Sequence, residues 1–294
     1  MKWIDGEHIL KLNGINHWVR IEGGQHNTIP LVIIHGGPGG NHYTFERIVG
    51  PLLSENRTIV YYEQRGCGRS ERPVSDEDYS LDFLLKDFKE LINWLDTKKV
   101  DLLGYSFGGE LALEFAYECP EKINKIILSA PSLMNSEIQR LVQITGFMSV
   151  ANEKLYQQII DFQRKDISPE KILDKIWEQV DTETVDLFLF ENQEIAKKNR
   201  MLWEESKLIN TGLMMRSLQK HPLPISLMDR LKDIHQRVLI IAGVFDRNTG
   251  IPIAKLFLRS LPNSQLVVFD KSAHFPDLEE TDKFVHVVRE FLDD

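Results

Sequence analysis

Short runs of continuous apolar residues recur along the chain and alternate with stretches whose apolar positions repeat at helical spacing. The start differs. "EHILKL" and "INHWVRIEG" flank Asn13-Gly14, a dipeptide that tolerates positive φ at both positions and predicts a type I′ hairpin. "LVIIHGG", "RTIVYYEQ", "VDLLGY" and "INKIILSA" follow as apolar runs, the pattern of strands buried on both faces. Between them a helix is expected over 43–55. Another over 80–97 has Leu81, Leu84, Leu85, Phe88, Leu91, Ile92 and Leu95 on one stripe and Ser80 as its N-cap. "GGELALEFAYE" predicts a third.

The alternation predicts a mostly parallel sheet with helices on both faces. It breaks between about Pro131 and Ile234, where "EIQRLVQITGFMSV", "EKLYQQIIDFQRK", "PEKILDKIWEQV" and "AKKNRMLWEESKLI" all have helical periodicity. It resumes with "RVLIIAGVFD", a helix over 251–260, "QLVVFD" and a last helix near 280–292. The expected organisation is an α/β core formed by 1–130 and 235–294, with 131–234 inserted as a helical cap.

Composition narrows the function classes. The 294 residues carry a net charge of −9, which argues against a nucleic-acid partner. No apolar run is long enough for a membrane span. The N-terminal "MKWIDGEHIL" lacks the apolar core of a signal peptide. Two cysteines, Cys67 and Cys119, are expected as free thiols in a cytoplasmic protein.

Gly104-Tyr105-Ser106-Phe107-Gly108 fits G-x-S-x-G. The pattern alone is short, and a serine N-cap in a tight turn would also satisfy it. Its place between a buried strand and a helix lifts Ser106 above the carboxyl end of the sheet, where open α/β sheets bind ligands. A serine hydroxyl needs a base, and the base needs an orienting carboxylate. Four histidines follow Ser106. His221 lies in the insertion beside Pro222, His235 precedes a strand, and His286 falls within a helix. His274, in "KSAHFP" after "QLVVFD", sits at the carboxyl end of its strand. Asp246 is the first carboxylate past "RVLIIAGVF"; Asp270, four residues before His274, is badly placed to reach back to its ring. "HGGPGG" at 35–40 follows the first buried strand. The N–H groups of Gly37 and Phe107 are the expected oxyanion donors. Neither G-x-G-x-x-G nor a phosphate-loop lysine is present. His35 has no cluster of Cys, His or Asp around it, so a hydrogen-bonding brace is expected there and no metal.

"HGGPGG", "QRGCGRS" at 64–70 and the serine turn at 104–108 together resemble the α/β-hydrolase superfamily, and within it the proline iminopeptidase group of serine peptidases. The resemblance covers about 1–130 and 235–294. It implies the α/β-hydrolase fold, the triad Ser106, Asp246 and His274, the oxyanion hole of Gly37 and Phe107, and no metal or organic cofactor. Glu63 stands where that group usually has Asp before Gln-Arg-Gly, and the Tyr-Ser-Phe turn also suits esterases and C–C bond hydrolases. Family members bind a peptide's free amino terminus with glutamates of the cap. The candidates here are Glu191, Glu194, Glu204 and Glu205, with Glu204 favoured because it follows Trp203, although an ordinary solvent-facing helix charge is the plainer expectation for any single one of them. The implied activity is an aminopeptidase on short peptides, or a carboxylesterase or lactonase on small esters. A catalytically silent ligand-binding relative is the third reading.

Overall fold

A computed structural model describes residues 3–165, 167–221 and 225–294. Met1, Lys2, Pro222 and part of the 131–234 segment lie outside the described residues.

The hairpin β1 (Gly6–Leu12) and β2 (Ile15–Glu22) turns at Asn13 and Gly14, whose φ values are 46° and 85°. Then come β3 (Leu31–Ile34), the short helices α1 (Phe45–Ile48) and α2 (Gly50–Ser54), and β4 (Ile59–Tyr62). The helix expected over 43–55 is thus two pieces, broken at Val49 with Pro51 in the first turn of the second, where proline is tolerated because no N–H is needed. Helix α3 (Leu81–Leu95) leads to β5 (Val100–Tyr105), α4 (Phe107–Glu118) and β6 (Ile123–Ser129).

Seven helices follow among the described residues, with no strand: α5 (Glu137–Val150), α6 (Glu153–Arg164), α7 (Pro169–Trp177), α8 (Thr182–Leu189), α9 (Gln193–Ser206), α10 (Leu213–Lys220) and α11 (Leu227–Arg230). The chain then returns to the sheet with β7 (Arg237–Gly243), α12 (Gly250–Ser260), β8 (Ser264–Phe269), α13 (Pro276–Glu279) and α14 (Thr281–Asp293). Helices α8 and α10 are not evident from periodicity. Each has only eight residues, about two turns, too few for a 3.6-residue repeat to declare itself. Asp181 nonetheless caps α8, accepting the Thr184 N–H at 2.8 Å.

The eight strands form one sheet in the order β1-β2-β4-β3-β5-β6-β7-β8. β2 is antiparallel to both of its neighbours, and every pair from β4 to β8 is parallel. β3 and β4 are buried along their whole length, because apolar layers cover both faces of the sheet. Helices α5 to α8 have a separate core, in which Phe147 and Phe188 stack at 3.9 Å with Ile144, Ile159 and Ile176 around them. Ile34 pairs with Gly104 in the parallel register, so the turns after β3 and β5 leave the sheet side by side.

Candidate active site

Ser106 joins β5 to α4 with φ 54° and ψ −124°, a backbone state that L-residues adopt only when held there. The hold is visible. The Ser106 N–H donates to Ser129 O at 2.9 Å, and its carbonyl accepts from the N–H groups of Gly109 and Ser132 at 2.9 and 3.1 Å. The flanking glycines are required by contact. A Cβ on Gly104 would meet Gly108 O at 2.1 Å, and one on Gly108 would meet Ile34 O at 2.1 Å. The turn after β3 is equally close, since a Cβ on Gly36 would lie 3.0 Å from Ser106 Cβ.

His274 lies five residues past β8 and is 5% exposed. Its Nδ1–H donates to Asp246 Oδ2 and Oδ1 at 3.1 and 3.2 Å. Burial works against the Asp246 carboxylate, but the adjacent His274 and hydrogen bonds from His274 and Thr249 outweigh it and hold the group down at about 2. Asp246 therefore stays ionised at working pH. It also accepts Thr249 Oγ1–H at 2.6 Å and Asn248 N–H at 2.8 Å, so it closes its own loop while orienting the imidazole.

The second imidazole nitrogen, Nε2, accepts from Asn248 Nδ2 at 3.1 Å, and Asn248 Oδ1 accepts from Gln143 Nε2 on α5 at 2.7 Å. Ser106 Oγ has no hydrogen bond among the described residues. Neither Asn248 nor Gln143 stands out in the sequence. Only the position of Asn248, two residues after Asp246, could draw attention to it.

Ser106, His274, Asn248 and Gly37 share the wall of a cavity of about 570 Å³ between the sheet's carboxyl edge and helices α5, α7 and α9. Gly37 has φ 125°. Phe107 opens α4, so its N–H has no acceptor in a preceding helical turn. Its side chain is buried. His35 is fully buried beneath. Its Nε2 accepts the Gln64 N–H at 3.1 Å and its Nδ1–H donates to Gly36 O at 2.9 Å. Desolvation holds His35 down at about 4, so it braces the turn as a neutral ring.

The remaining histidines lie elsewhere. His221 and His235 are exposed, and His286 is exposed on α14. Asp270 is exposed and pairs with Lys283 at 3.2 Å. In "QRGCGRS", Arg69 holds Glu63 and Glu46 and lies over the Trp18 ring, while Arg65 grips Asp87 with two bonds of 2.6 Å. The longer Glu63 side chain fills the space over Gly68, where a Cβ would meet its Oε2 at 2.2 Å.

The four glutamates keep to the plainer of the two expectations, that of solvent-facing helix charges. Glu204, Glu205, Glu194 and Glu191 are all exposed and stand outside the cavity wall. Glu205 accepts Tyr43 Oη–H at 2.7 Å, Glu194 pairs with Lys197 at 2.8 Å, and Glu191 pairs with Arg247 at 2.8 Å. Trp203 and Asn199 do line the cavity, being four apart on one helix face. Glu204 and Glu205 follow Trp203 and are turned about 100° and 200° away from it. The acidic side chains on the wall are Glu170, Asp174 and Asp277.

A mostly parallel sheet carrying a serine on a strained strand-to-helix turn, with an Asp-bound histidine at the same edge, defines an α/β enzyme architecture. Residues 29–281 match the family model described as alpha/beta hydrolase fold. The chain belongs to that family and is a hydrolase. It is 28% identical over 304 residues to a proline iminopeptidase of Saccharolobus solfataricus, covering 98% of this chain and 92% of the relative. A proline iminopeptidase-related protein from Thermus thermophilus superimposes with a TM-score of 0.81 at 19% identity, over 99% of this chain and 98% of that one. A meta-cleavage product hydrolase from Pseudomonas fluorescens does so with a TM-score of 0.71 at 21% identity, over 97% of both chains. Among the described residues, no helix is long and apolar enough to cross a membrane.

Proposed function

We propose that the protein is a serine hydrolase of the proline iminopeptidase type, acting on short peptides through an acyl-enzyme. The observation that carries this is His274, hydrogen-bonded to Asp246 and standing on the same cavity wall as Ser106. Ser106 Oγ attacks the carbonyl carbon while His274 Nε2 takes its proton, and the Gly37 and Phe107 N–H groups receive the oxyanion. The tetrahedral species collapses, the C–N bond breaks, and His274 returns the proton to the leaving amine. Water then attacks the acyl-enzyme with His274 again as base, which releases the acid and restores Ser106. Residues 131–234 serve as the cap in this reading: α5, α7 and α9 roof the cavity and admit small substrates. The free thiols Cys67 and Cys119 support a cytoplasmic setting.

A second reading, a carboxylesterase or lactonase on small esters, is favoured by one observation: the glutamates expected to hold a peptide's amino terminus stand outside the wall. Hydrolysis of a prolyl arylamide and of a short-chain aryl ester, each measured against Ser106→Ala, separates the two. The expected result is turnover of the arylamide that Ser106→Ala removes. Ester turnover with none on any aminoacyl arylamide would sink the peptidase reading.

Asn248 occupies the nitrogen that Ser106 must use, so the resting relay from α5 competes with activation. A single hydrogen bond contributes about 0.5–1.5 kcal/mol, or roughly 2- to 10-fold. Asn248→Ala is therefore expected to speed the labelling of Ser106 by a fluorophosphonate by that factor. Slower labelling would mean that Asn248 holds the ring for catalysis and does not compete for it.

A further inference from the structure

Asp277 follows His274 by three residues and stands in the wall of the same cavity, yet it is 5% exposed. Among the described residues no side chain hydrogen-bonds to it or pairs with it, and its own backbone N–H and that of Leu278 approach the carboxyl. The ionisable groups near it are His274, Glu279 and Tyr105, and none of these is a fixed cation. Elsewhere on the wall, Glu170 lies 3.9 Å from Arg140, while the exposed Asp174 carboxylate has no partner among the described residues. Among the described residues the cavity therefore carries two acids without counter-charge, one of them desolvated beside the histidine.

A buried carboxylate without a partner is unfavourable and is relieved by a cation that arrives with hydrogen-bond donors. We propose that Asp277 is the specificity-determining residue of this cavity, receiving a substrate ammonium group carried close to the scissile carbonyl. This rests on the cavity being the hydrolytic site, and it assigns to the loop after β8 the role that the sequence reading gave to glutamates of the cap. Burial raises the Asp277 carboxyl to about 7, so the group is partly protonated at neutral pH and an incoming cation draws it to the anion. A raised carboxyl pKa lowers fold stability as pH climbs from the ordinary 3.8 to about 7, and the loss is complete above that. Asp277→Asn should therefore melt no lower than its parent at pH 8, which checks its fold.

The test is binding, so that it does not depend on turnover. In the full-length Ser106→Ala background, calorimetry compares prolinamide, a cation, with tetrahydrofuran-2-carboxamide, its neutral isostere. The parent is expected to prefer prolinamide by about tenfold or more, as for a hydrogen-bonded ion pair in a shielded site. Adding Asp277→Asn should reduce the preference to about twofold or less, and Asp277→Glu should retain part of it. A preference that survives Asp277→Asn, or a parent with no preference, overturns the proposal. Failure of the unmodified enzyme to cleave any aminoacyl arylamide would instead remove the peptidase reading and leave the binding result standing.

Discussion

Replacing Ser106 by alanine is expected to lower hydrolysis by about 10⁴- to 10⁶-fold, with no loss of fold. In the proposed acyl-enzyme mechanism the rate falls because every step passes through the bond to Oγ. What survives comes from oriented water and the backbone donors. The fold survives because the Ser106 side chain has no hydrogen bond to lose among the described residues; the strained turn is held by the backbone bonds to Ser129, Gly109 and Ser132. Alanine at φ 54° is strained much as serine is. His274→Ala should cost a similar factor, and the double variant little more than either alone, because the two groups act as one unit. Steady-state rates with matched circular dichroism check this. Losses that multiply would mean that the two residues act in separate steps.

The second large effect concerns stability. Gly108→Ala places a methyl 2.1 Å from Ile34 O and 2.7 Å from His35 O. Both are backbone atoms of the neighbouring strand and turn, so no side chain can swing aside. Overpacking of this kind costs about 3 kcal/mol or more, and roughly 6–12 °C in Tm for a domain of this size. The same shift would move Ser106 against Gly36, so the variant that folds should also be slow. A melting temperature within about 1 °C of the parent would show that α4 does not press on β3 as described.

Much of this architecture is readable in the sequence because the sheet is buried on both faces. Leu31–Ile34 and Ile59–Tyr62 have no solvent side, so they appear as unbroken apolar runs. Ser106, Asp246 and His274 can be named as candidates from chain position, since each follows the carboxyl end of a strand. The hairpin is marked by Asn13-Gly14, whose positive φ values few other pairs tolerate. The roof is harder. On α9 the difference between Trp203 and Glu204 is one step of helix rotation, and a polar helix surface does not announce which step faces a cavity. Glu191 reads as available in the sequence, but Arg247, 56 residues later, lies beside it. Asp277 and Asn248 give no periodic signal. Their importance comes from partners, or the lack of them, that only three-dimensional packing sets.

In the proposed mechanism Ser106 forms the covalent intermediate with His274 as its base. Intact-mass measurement and peptide mapping after exposure to a fluorophosphonate address it directly. One adduct is expected, on Ser106, absent from Ser106→Ala and strongly slowed in His274→Ala. An adduct on another residue, or hydrolysis that continues at the parent rate in Ser106→Ala, would contradict it.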